Sequence, residues 1–338
     1  MRKANIVIVG AAGLVGQEIM AVLAEREGRL PLGELRLVAS DRSAGNVVQA
    51  LGRSLSVTAI RPESFQDADF AFFAAPNEVS AHYAPIAAEA GAVAIDKSSH
   101  FRMQEGVPLV VPEVNLDHIG AEDRIVASPN CSTIQLVMAL GPLDRAFGIR
   151  RVVVSTYQSV SGSGREALEG LDAEAAEWAG GSVPAPKAYP QPIAFNVLAQ
   201  CDAFGPDGFT KEELKLRQET RKILARPDLP LAATAVRVPV RVGHAEAVTV
   251  EFAGAVSPQE ARAALQGQLG VRVVDDPAQG LYPTPLMAAG RDDVLVGRIR
   301  QDPDRPDTLH LFVVADNLRK GAATNAVQIA EALWQRVN

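Results

Sequence analysis

The chain has 338 residues, of which 47% are hydrophobic and 22% charged, and its formal net charge is −7. This composition is typical of a folded globular protein with room for two domains. The acidic balance, without a long basic run, argues against nucleic acid or an anionic membrane surface as the main partner. Two cysteines cannot build a disulfide framework, and no clustered Cys/His spacing indicates a metal site. No apolar stretch approaches membrane-spanning length, and a reducing cytoplasm is the expected location.

The first third of the chain alternates between strand and helix patterns. Residues 4–9 form a β-branched run that stops at Gly10, and helical spacing follows in LVGQEIMAVLAERE. ELRLVAS indicates a second strand, a polar interval leads to ADFAFFAA, and the helical VSAHYAPIAAEAG precedes the strand-like AVAID. This rhythm predicts an α/β domain with a Rossmann-like, doubly wound parallel sheet covered by helices.

Gly10, Gly13 and Gly16 are spaced GxxGxxG between the first strand and the first helix. Gly10 would permit a tight turn, Gly13 would let backbone N–H groups approach a pyrophosphate, and Gly16 would allow close helix–strand packing. The spacing differs from the usual GxGxxG, and a tight turn without a ligand also fits these residues.

The end of the second strand, ASDRSAG, bears on the choice of dinucleotide. An NAD site usually carries an acidic residue here for the ribose 2′-OH, whereas an NADP site offers a cation and small donors. Arg42 with Ser40 and Ser43 suits a 2′-phosphate. Asp41 argues for NAD unless its side chain points outward. We therefore expect NADP.

The pattern changes near residue 149. IRRVVVSTYQSVSG, LAATAVRVPV, EAVTVEFAG, VLVGRIR and TLHLFVVAD are longer, alternating strands, which predict a second, α+β domain with a mainly antiparallel sheet. The final AATNAVQIAEALWQRV predicts an amphipathic helix that could return to the first domain. We expect one domain of residues 1–130, completed by residues 318–338, and another of residues 131–317.

Two positions in the second half could carry chemistry. If a helix begins at Cys131 in SPNCSTIQLV, its dipole favours the thiolate and its N–H groups could hold an oxyanion. A packed structural cysteine is equally consistent with the pattern, and Cys201 is expected to be a partly buried small apolar residue. His244 follows a strand that ends at Gly243, and Arg237 offers a planar fork for a carboxylate.

Segments along nearly the whole chain together resemble the aspartate-β-semialdehyde dehydrogenase family. They are GAAGLVGQE, ASDRSAG, IDKSSHFRM, VPLVVPEVN, SPNCSTIQLV, TYQSVSGSG, TKEELKLRQETRKIL, VRVPVRVGHAEAV, YPTP, VGRIR and DNLRKGAATNAVQIAE. The resemblance implies NADPH-dependent reduction of L-aspartyl 4-phosphate to L-aspartate 4-semialdehyde through a cysteine acyl-thioester, with release of phosphate. This reaction belongs to lysine, threonine, methionine and diaminopimelate biosynthesis. A catalytic and dimerisation domain and a homodimer or homotetramer are also implied.

The resemblance also implies roles for individual residues. Cys131 would be the nucleophile, His244 a general acid/base with a pKa near neutrality, and Gln158 a residue that positions the substrate. Arg237 would contact the substrate carboxylate, and Glu212 would contact its amino group. Arg102 and Lys215 would contact its phosphate. The implied NADP contacts beyond Gly10, Ser40 and Arg42 are Gly13, Leu14, Val15, Gly16, Ser43, Ser161, Gly162 and Asn317.

Small departures from the family pattern lie at Lys97 and His100, beside the expected phosphate site, and they put phosphate affinity in doubt.

An enzyme that reduces N-acetylglutamyl phosphate would be expected to carry glycine directly before the cysteine, where this chain has Asn130. An acyl-CoA reductase on the same scaffold is harder to exclude. A non-catalytic homologue would be expected to lose some of the residues that are retained here.

Overall fold

The computed structural model of the protein describes residues 2–337. It divides into two compact units, one made of the residues up to 130 together with those from 322 onward, and the other of residues 131–321.

The first unit is built on a mostly parallel sheet. Its strands are β1 (Ala4–Val9), β2 (Leu32–Ala39), β3 (Val47–Ala50), β4 (Arg53–Ala59), β5 (Phe70–Phe73), β6 (Val93–Asp96) and β7 (Ile125–Ala127). Its helices are α1 (Leu14–Glu25), α2 (Asn77–Glu89), α3 (Pro112–Asn115) and α9 (Thr324–Val337). The strand order is β3-β4-β2-β1-β5-β6-β7, and β3 pairs antiparallel with β4. The predicted doubly wound α/β architecture is confirmed.

One part of the first unit differs from the sequence prediction. The polar interval after β2, predicted without regular structure, contains the β3–β4 hairpin, and β4 pairs parallel with β2. In β4 only Val57 is buried, so the hairpin carries a weak hydrophobic signal. Exposure of both faces explains why periodicity did not reveal these strands.

The C-terminal helix α9 contributes to the core of the first unit. Its apolar side chains join the cluster formed by β1, β5 and α1, and Trp334 packs edge-on against Phe70 with ring centroids 6.4 Å apart. Arg26, just after α1, makes a bidentate ion pair with Glu331 at 2.6 and 2.7 Å. Because this pair is shielded from water, both partners are needed to keep either charge buried.

The second unit contains a mainly antiparallel sheet, as predicted. Its strands are β8 (Ile149–Gln158), β9 (Leu231–Arg237), β10 (His244–Phe252), β11 (Val271–Val273), β12 (Val294–Gln301) and β13 (Thr308–Ala315), in the order β11-β12-β13-β10-β8-β9. Its helices are α4 (Cys131–Phe147), α5 (Arg165–Ala179), α6 (Lys211–Ile223), α7 (Pro258–Gln266) and α8 (Pro285–Ala288). The edge pairs β11–β12 and β8–β9 are parallel, which makes the sheet mixed.

The core of the second unit contains a carboxyl group without a hydrogen bond. Glu246 on β10 is fully buried, and neither carboxyl oxygen has a hydrogen-bond partner. Gln135 of α4 approaches it without satisfying either oxygen. Burial raises the pKa of Glu246 well above its usual range, and the charge of Glu212 adds to this shift. Burial therefore favours the neutral acid over the carboxylate.

Over residues 2–337, no helix is both long and apolar enough to cross a membrane. The same part of the chain contains no group of three or more His, Cys, Asp or Glu side chains arranged to hold a metal ion.

Gly16→Ala should destabilise the protein by about 1–3 kcal/mol, the usual cost of overpacking. A Cβ at Gly16 would lie 2.4 Å from the Gly10 carbonyl oxygen and 2.7 Å from Ala11 Cα, so α1 would have to move away from the loop. Gly28→Ala is the matched control, because a Cβ there meets nothing within 4 Å. Urea unfolding of both variants tests this, and equal stabilities would contradict the close packing.

Glu246→Gln should stabilise the protein increasingly as the pH rises above 4.5, the ordinary pKa of a glutamate. A glutamate in the unfolded chain ionises near the ordinary value of 4.5, whereas the folded carboxyl keeps its proton because its pKa is raised. The contribution of Glu246 to the wild-type free energy of unfolding therefore falls above pH 4.5, until the folded carboxyl itself ionises. Glutamine does not ionise, so its contribution does not change with pH. Chemical unfolding at several pH values measures this gain. Glu251→Gln, whose carboxylate pairs with Arg151, is the control, and a pH-independent difference for Glu246→Gln would refute the assignment.

Candidate active site

The glycine loop of the first unit forms a tight turn at the carboxyl end of β1. Gly10 has φ +84°, and a Cβ there would lie 2.2 Å from the Ala74 carbonyl oxygen, so only glycine fits. Gly13 is the N-cap of α1, which has neither a side-chain cap nor an acidic residue in its first turn. The backbone N–H groups of Leu14 and Val15 therefore begin a helix whose dipole favours an anion.

The end of β2 places a cation on the surface. Arg42 and Ser40 are exposed, Ser43 is half-buried, and residues 41–43 form a single 3₁₀ turn. Asp41, which argued for NAD, has a 76% exposed side chain and forms an ion pair with Arg61 at 2.6 Å. That pairing engages the one acidic side chain of the motif and leaves Arg42 and the serines as the polar groups expected at a 2′-phosphate.

Two further cations of the first unit lie where β6 and β7 end. Arg102 is buried and donates from Nε to the Ser128 carbonyl at 3.1 Å and from Nη2 to the Lys97 carbonyl at 2.8 Å. Lys97 donates to the Pro129 carbonyl at 3.1 Å. Both cations thus hold the segment that leads into α4. His100 is exposed and packs edge-on against the ring of Phe101.

Cys131 is the first residue of α4, as the sequence predicted. The helix has 17 residues, its first turn contains no acidic side chain, and Cys131 is partly exposed, without a disulfide. A Cβ on Gly321 would lie 3.0 Å from the Cys131 Cβ, so a larger residue there would crowd Cys131. The helix N-terminus favours the thiolate over the thiol. The sequence analysis did not identify Gly321.

The expected substrate-binding residues Gln158 and Glu212 lie together in the second unit. Gln158 Nε2 donates to Glu212 Oε1 at 2.9 Å, and the Ser132 hydroxyl donates to the same oxygen at 3.0 Å. Lys215 lies 3.5 Å from Glu212 but 2.7 Å from Asp202. Glu212 is thus a buried acceptor held by α4 and β8. The sequence analysis missed Ser132, although it directly follows the cysteine.

Arg237, at the end of β9, is buried with its guanidinium fixed on one side. Its Nη1 donates to the Ser159 carbonyl at 2.7 Å, and its Cζ lies 5.8 Å from the centroid of the Tyr189 ring. Its Nε is buried without a hydrogen-bond partner. Gly162 lines the same space, because a Cβ there would lie 3.2 Å from Nη1. An unsatisfied guanidinium edge of this kind suits a carboxylate.

The segment that carries Tyr189 is anchored by Glu174 of α5. This fully buried carboxylate accepts the backbone N–H groups of Lys187, Ile193 and Ala194 at 2.6–3.1 Å. Neither Glu174 nor Tyr189 was predicted from the sequence. A glutamate in a helix and a tyrosine in a proline-rich segment carry no local signal for such a contact.

His244, at the start of β10, is completely buried. Its Nδ1 accepts the backbone N–H of Ser159 at 3.0 Å, and its Nε2 has no hydrogen-bond partner. Burial, followed by the charge of Arg237, lowers the pKa of His244 to about 3. The expectation of a pKa near neutrality is therefore wrong, because that expectation took no account of desolvation.

Ser161 and Asn317, expected cofactor contacts, form a buried network beside this histidine. Asn317 Oδ1 accepts from the hydroxyls of Ser159 and Ser161 and from the Gly243 N–H at 2.9–3.1 Å.

The second cysteine, Cys201, is a buried thiol. Burial raises its pKa to about 12, which agrees with its predicted role as a small apolar residue.

Comparison with known proteins matches both units to one family. The family model for the semialdehyde dehydrogenase NAD binding domain matches residues 5–122, and the model for the semialdehyde dehydrogenase dimerisation domain matches residues 140–320. The aspartate-semialdehyde dehydrogenase of Aquifex aeolicus is 48% identical to this chain over 97% of both chains.

Solved structures agree with this match. The aspartate semialdehyde dehydrogenase II of Vibrio cholerae, in a complex with ASA, has a TM-score of 0.95 and 44% identity over 99% of both chains. The aspartate semialdehyde dehydrogenase of Candida albicans, with NADP, has a TM-score of 0.76 and 25% identity over 98% of both chains. Because both family models match and a relative is 48% identical over nearly the full length, the chain belongs to the aspartate-semialdehyde dehydrogenase family.

Proposed function

We propose that the protein reduces L-aspartyl 4-phosphate to L-aspartate 4-semialdehyde with NADPH and releases inorganic phosphate. The observation that carries this proposal is the position of Cys131 at the start of α4, in the unit that also buries Gln158, Glu212, Arg237 and His244. A thiolate, an acceptor for an ammonium group and a cation for a carboxylate match the functional groups of this substrate. The family match supports the same reaction.

NADP is the proposed cofactor. The loop from Gly10 to Gly16 offers main-chain N–H groups to a pyrophosphate, and Arg42 suits a 2′-phosphate because Asp41 is paired with Arg61. Family resemblance adds Ser161, Gly162 and Asn317 of the second unit as proposed contacts. When bound, NADPH supplies the hydride that reduces the acyl group.

Cys131 is the proposed nucleophile. Its thiolate would form a C–S bond to the acyl carbon of the substrate, and the C–O bond to phosphate would break. Arg237 would hold the α-carboxylate, and Glu212 would accept from the ammonium group while Gln158 orients the acyl group. We assign the phosphate to Arg102 and Lys215, and Lys215 would then exchange its ion pair with Asp202 for the phosphate oxygens. Lys97 adds a cation on the Arg102 side.

A homodimer or homotetramer in the cytoplasm, active in the biosynthesis of aspartate-derived amino acids, is the proposed setting. The match to a dimerisation-domain model over residues 140–320 supports self-association.

The initial rate of NADP reduction with aspartate semialdehyde, with and without inorganic phosphate, tests the reaction. We expect a rate that requires phosphate, since the reverse reaction consumes it to form the acyl phosphate. Cys131→Ser should lower kcat by at least about a thousandfold, and Cys201→Ala should keep most of the activity. A phosphate-independent rate, or a Cys131→Ser variant with full activity, would exclude the proposed chemistry; a rate only with coenzyme A would favour an acyl-CoA reductase.

Arg237→Lys should raise KM for aspartate semialdehyde and lower kcat, by about tenfold or more in kcat/KM. An ammonium group cannot make a two-pronged contact with a carboxylate and also loses the fixed contacts to Tyr189 and the Ser159 carbonyl. Arg241→Lys is the matched control, because Arg241 is exposed and pairs with Asp172. Steady-state kinetics of both variants test this prediction. Wild-type values of kcat and KM for Arg237→Lys as well as for Arg241→Lys would contradict the carboxylate assignment.

A further inference from the structure

One segment of the second unit, residues 187–198, contacts both the backbone and the charged end of Arg237. At its far end, Leu198 and Arg237 exchange two main-chain hydrogen bonds of 2.8 and 2.9 Å as an antiparallel bridge. Near its beginning, the centroid of the Tyr189 ring lies 5.8 Å from Arg237 Cζ. The course of this segment therefore bears directly on where the guanidinium lies.

The guanidinium has few other contacts that could orient it. Its Nη1 donates to the Ser159 carbonyl, whereas its buried Nε has no hydrogen-bond partner. A two-pronged contact with a carboxylate requires the plane of the guanidinium to match the plane of the ligand. One hydrogen bond fixes a point of that plane but not its tilt, so a second restraint is needed.

Tyr189 supplies a restraint of this kind. Its ring is partly buried and packs against an apolar cluster that includes Leu171 of α5 and Ile193 of the segment. Its hydroxyl donates to the hydroxyl of the exposed Ser163 at 2.9 Å. An aromatic face attracts a cation, and more strongly where water is excluded. The ring therefore restricts the Arg237 guanidinium on one side.

Glu174 of α5 holds the backbone on both sides of Tyr189. Its Oε1 accepts from the Lys187 N–H at 3.1 Å, and its Oε2 accepts from the N–H groups of Ile193 and Ala194 at 2.6 and 2.9 Å. Burying a carboxylate is costly unless hydrogen bonds compensate for the lost water. These three bonds therefore tie the segment to α5.

The arrangement requires both oxygens of a carboxylate. A glutamine side chain has one acceptor oxygen, and its NH₂ group would face either the Lys187 N–H or the N–H pair of Ile193 and Ala194. Two donors that face each other in a buried site repel one of the groups from its place. Even this isosteric change would therefore release one end of the segment beside Tyr189.

We propose that Glu174 and Tyr189 are positioning residues for Arg237: Glu174 fixes the course of the segment, and the Tyr189 ring orients the guanidinium. The inference rests on the function proposed above, which assigns the substrate carboxylate to Arg237. Neither residue is assigned to the reacting atoms. Their loss should weaken substrate binding more than it slows the chemical step at Cys131.

Steady-state kinetics of Tyr189→Leu and Tyr189→Phe test the role of the ring. Leucine fills much of the space without an aromatic face, and it should raise KM for aspartate semialdehyde by about threefold to tenfold. KM for NADP and kcat should change by less than about twofold. Phenylalanine keeps the face and should match the wild type within about twofold. A wild-type KM in Tyr189→Leu, or equal losses in both variants, would overturn the role of the ring.

A double-mutant cycle with Arg237→Met separates an action through Arg237 from a general packing effect. Once the guanidinium is gone, the ring has no cation to orient. Tyr189→Leu should therefore change kcat/KM by less than about twofold in the Arg237→Met background. A loss of the same size in both backgrounds would show that Tyr189 does not act through Arg237.

Glu174→Gln tests the anchor. It should raise KM for aspartate semialdehyde by about threefold or more and leave KM for NADP unchanged. Glu177→Gln is the matched control: it lies on the same helix and pairs with Lys187 at 2.7 Å on the surface, where an ion pair contributes little. A wild-type KM in Glu174→Gln, or the same rise in both glutamine variants, would overturn the role of Glu174.

Urea unfolding of the four proteins of the cycle tests the contact without substrate. Tyr189→Leu should lower the urea midpoint more in the wild type than in Arg237→Met, because the ring loses a cation only in the first case. Equal shifts would overturn the contact. If the wild type does not turn over aspartate semialdehyde, the proposed reaction fails, while the unfolding cycle still decides whether Tyr189 and Arg237 are coupled.

Discussion

The cost of burying polar side chains is the constraint on which the second unit depends. Glu212, Gln158, Arg237 and His244 are all nearly inaccessible to water, and each keeps its position because another buried group satisfies it. Removing one partner leaves the other unpaired in a poor solvent, which costs more than the contact itself contributes. Most polar groups of the site are therefore satisfied by one another, whereas Arg237 Nε and His244 Nε2 are buried there without a hydrogen-bond partner.

Under the proposed function, the first unit binds its cofactor with main-chain groups instead. Gly10 and Gly16 bring backbone atoms so close that no Cβ fits, and α1 begins without a side-chain cap. Such a site is specified by the path of the chain and by the absence of side chains. Under the proposed function, this division accounts for the small residues of the cofactor loop and the large polar residues of the substrate site.

Sequence reasoning succeeded where the determinants are local. The glycine loop between β1 and α1 and the helix start at Cys131 follow from a few adjacent residues, whereas the β3–β4 hairpin was missed because it buries little apolar surface. Pairings between distant residues were also missed: Asp41 with Arg61, and Tyr189 with Arg237. The pKa of His244 could not be predicted, because it depends on burial that only the assembled sheet produces.

The anchoring of the Tyr189 segment by Glu174 has a consequence for how substrate preference could change over evolution. Three main-chain N–H groups, from residues 187, 193 and 194, end on one buried carboxylate of α5, so the backbone course there does not depend on the side chains it carries. Exchanging the residue at 189 would reshape the wall beside Arg237 while the backbone keeps its course. Under the proposed function, a substitution at residue 189 would therefore alter the shape of the substrate site while the backbone around it stays anchored by Glu174.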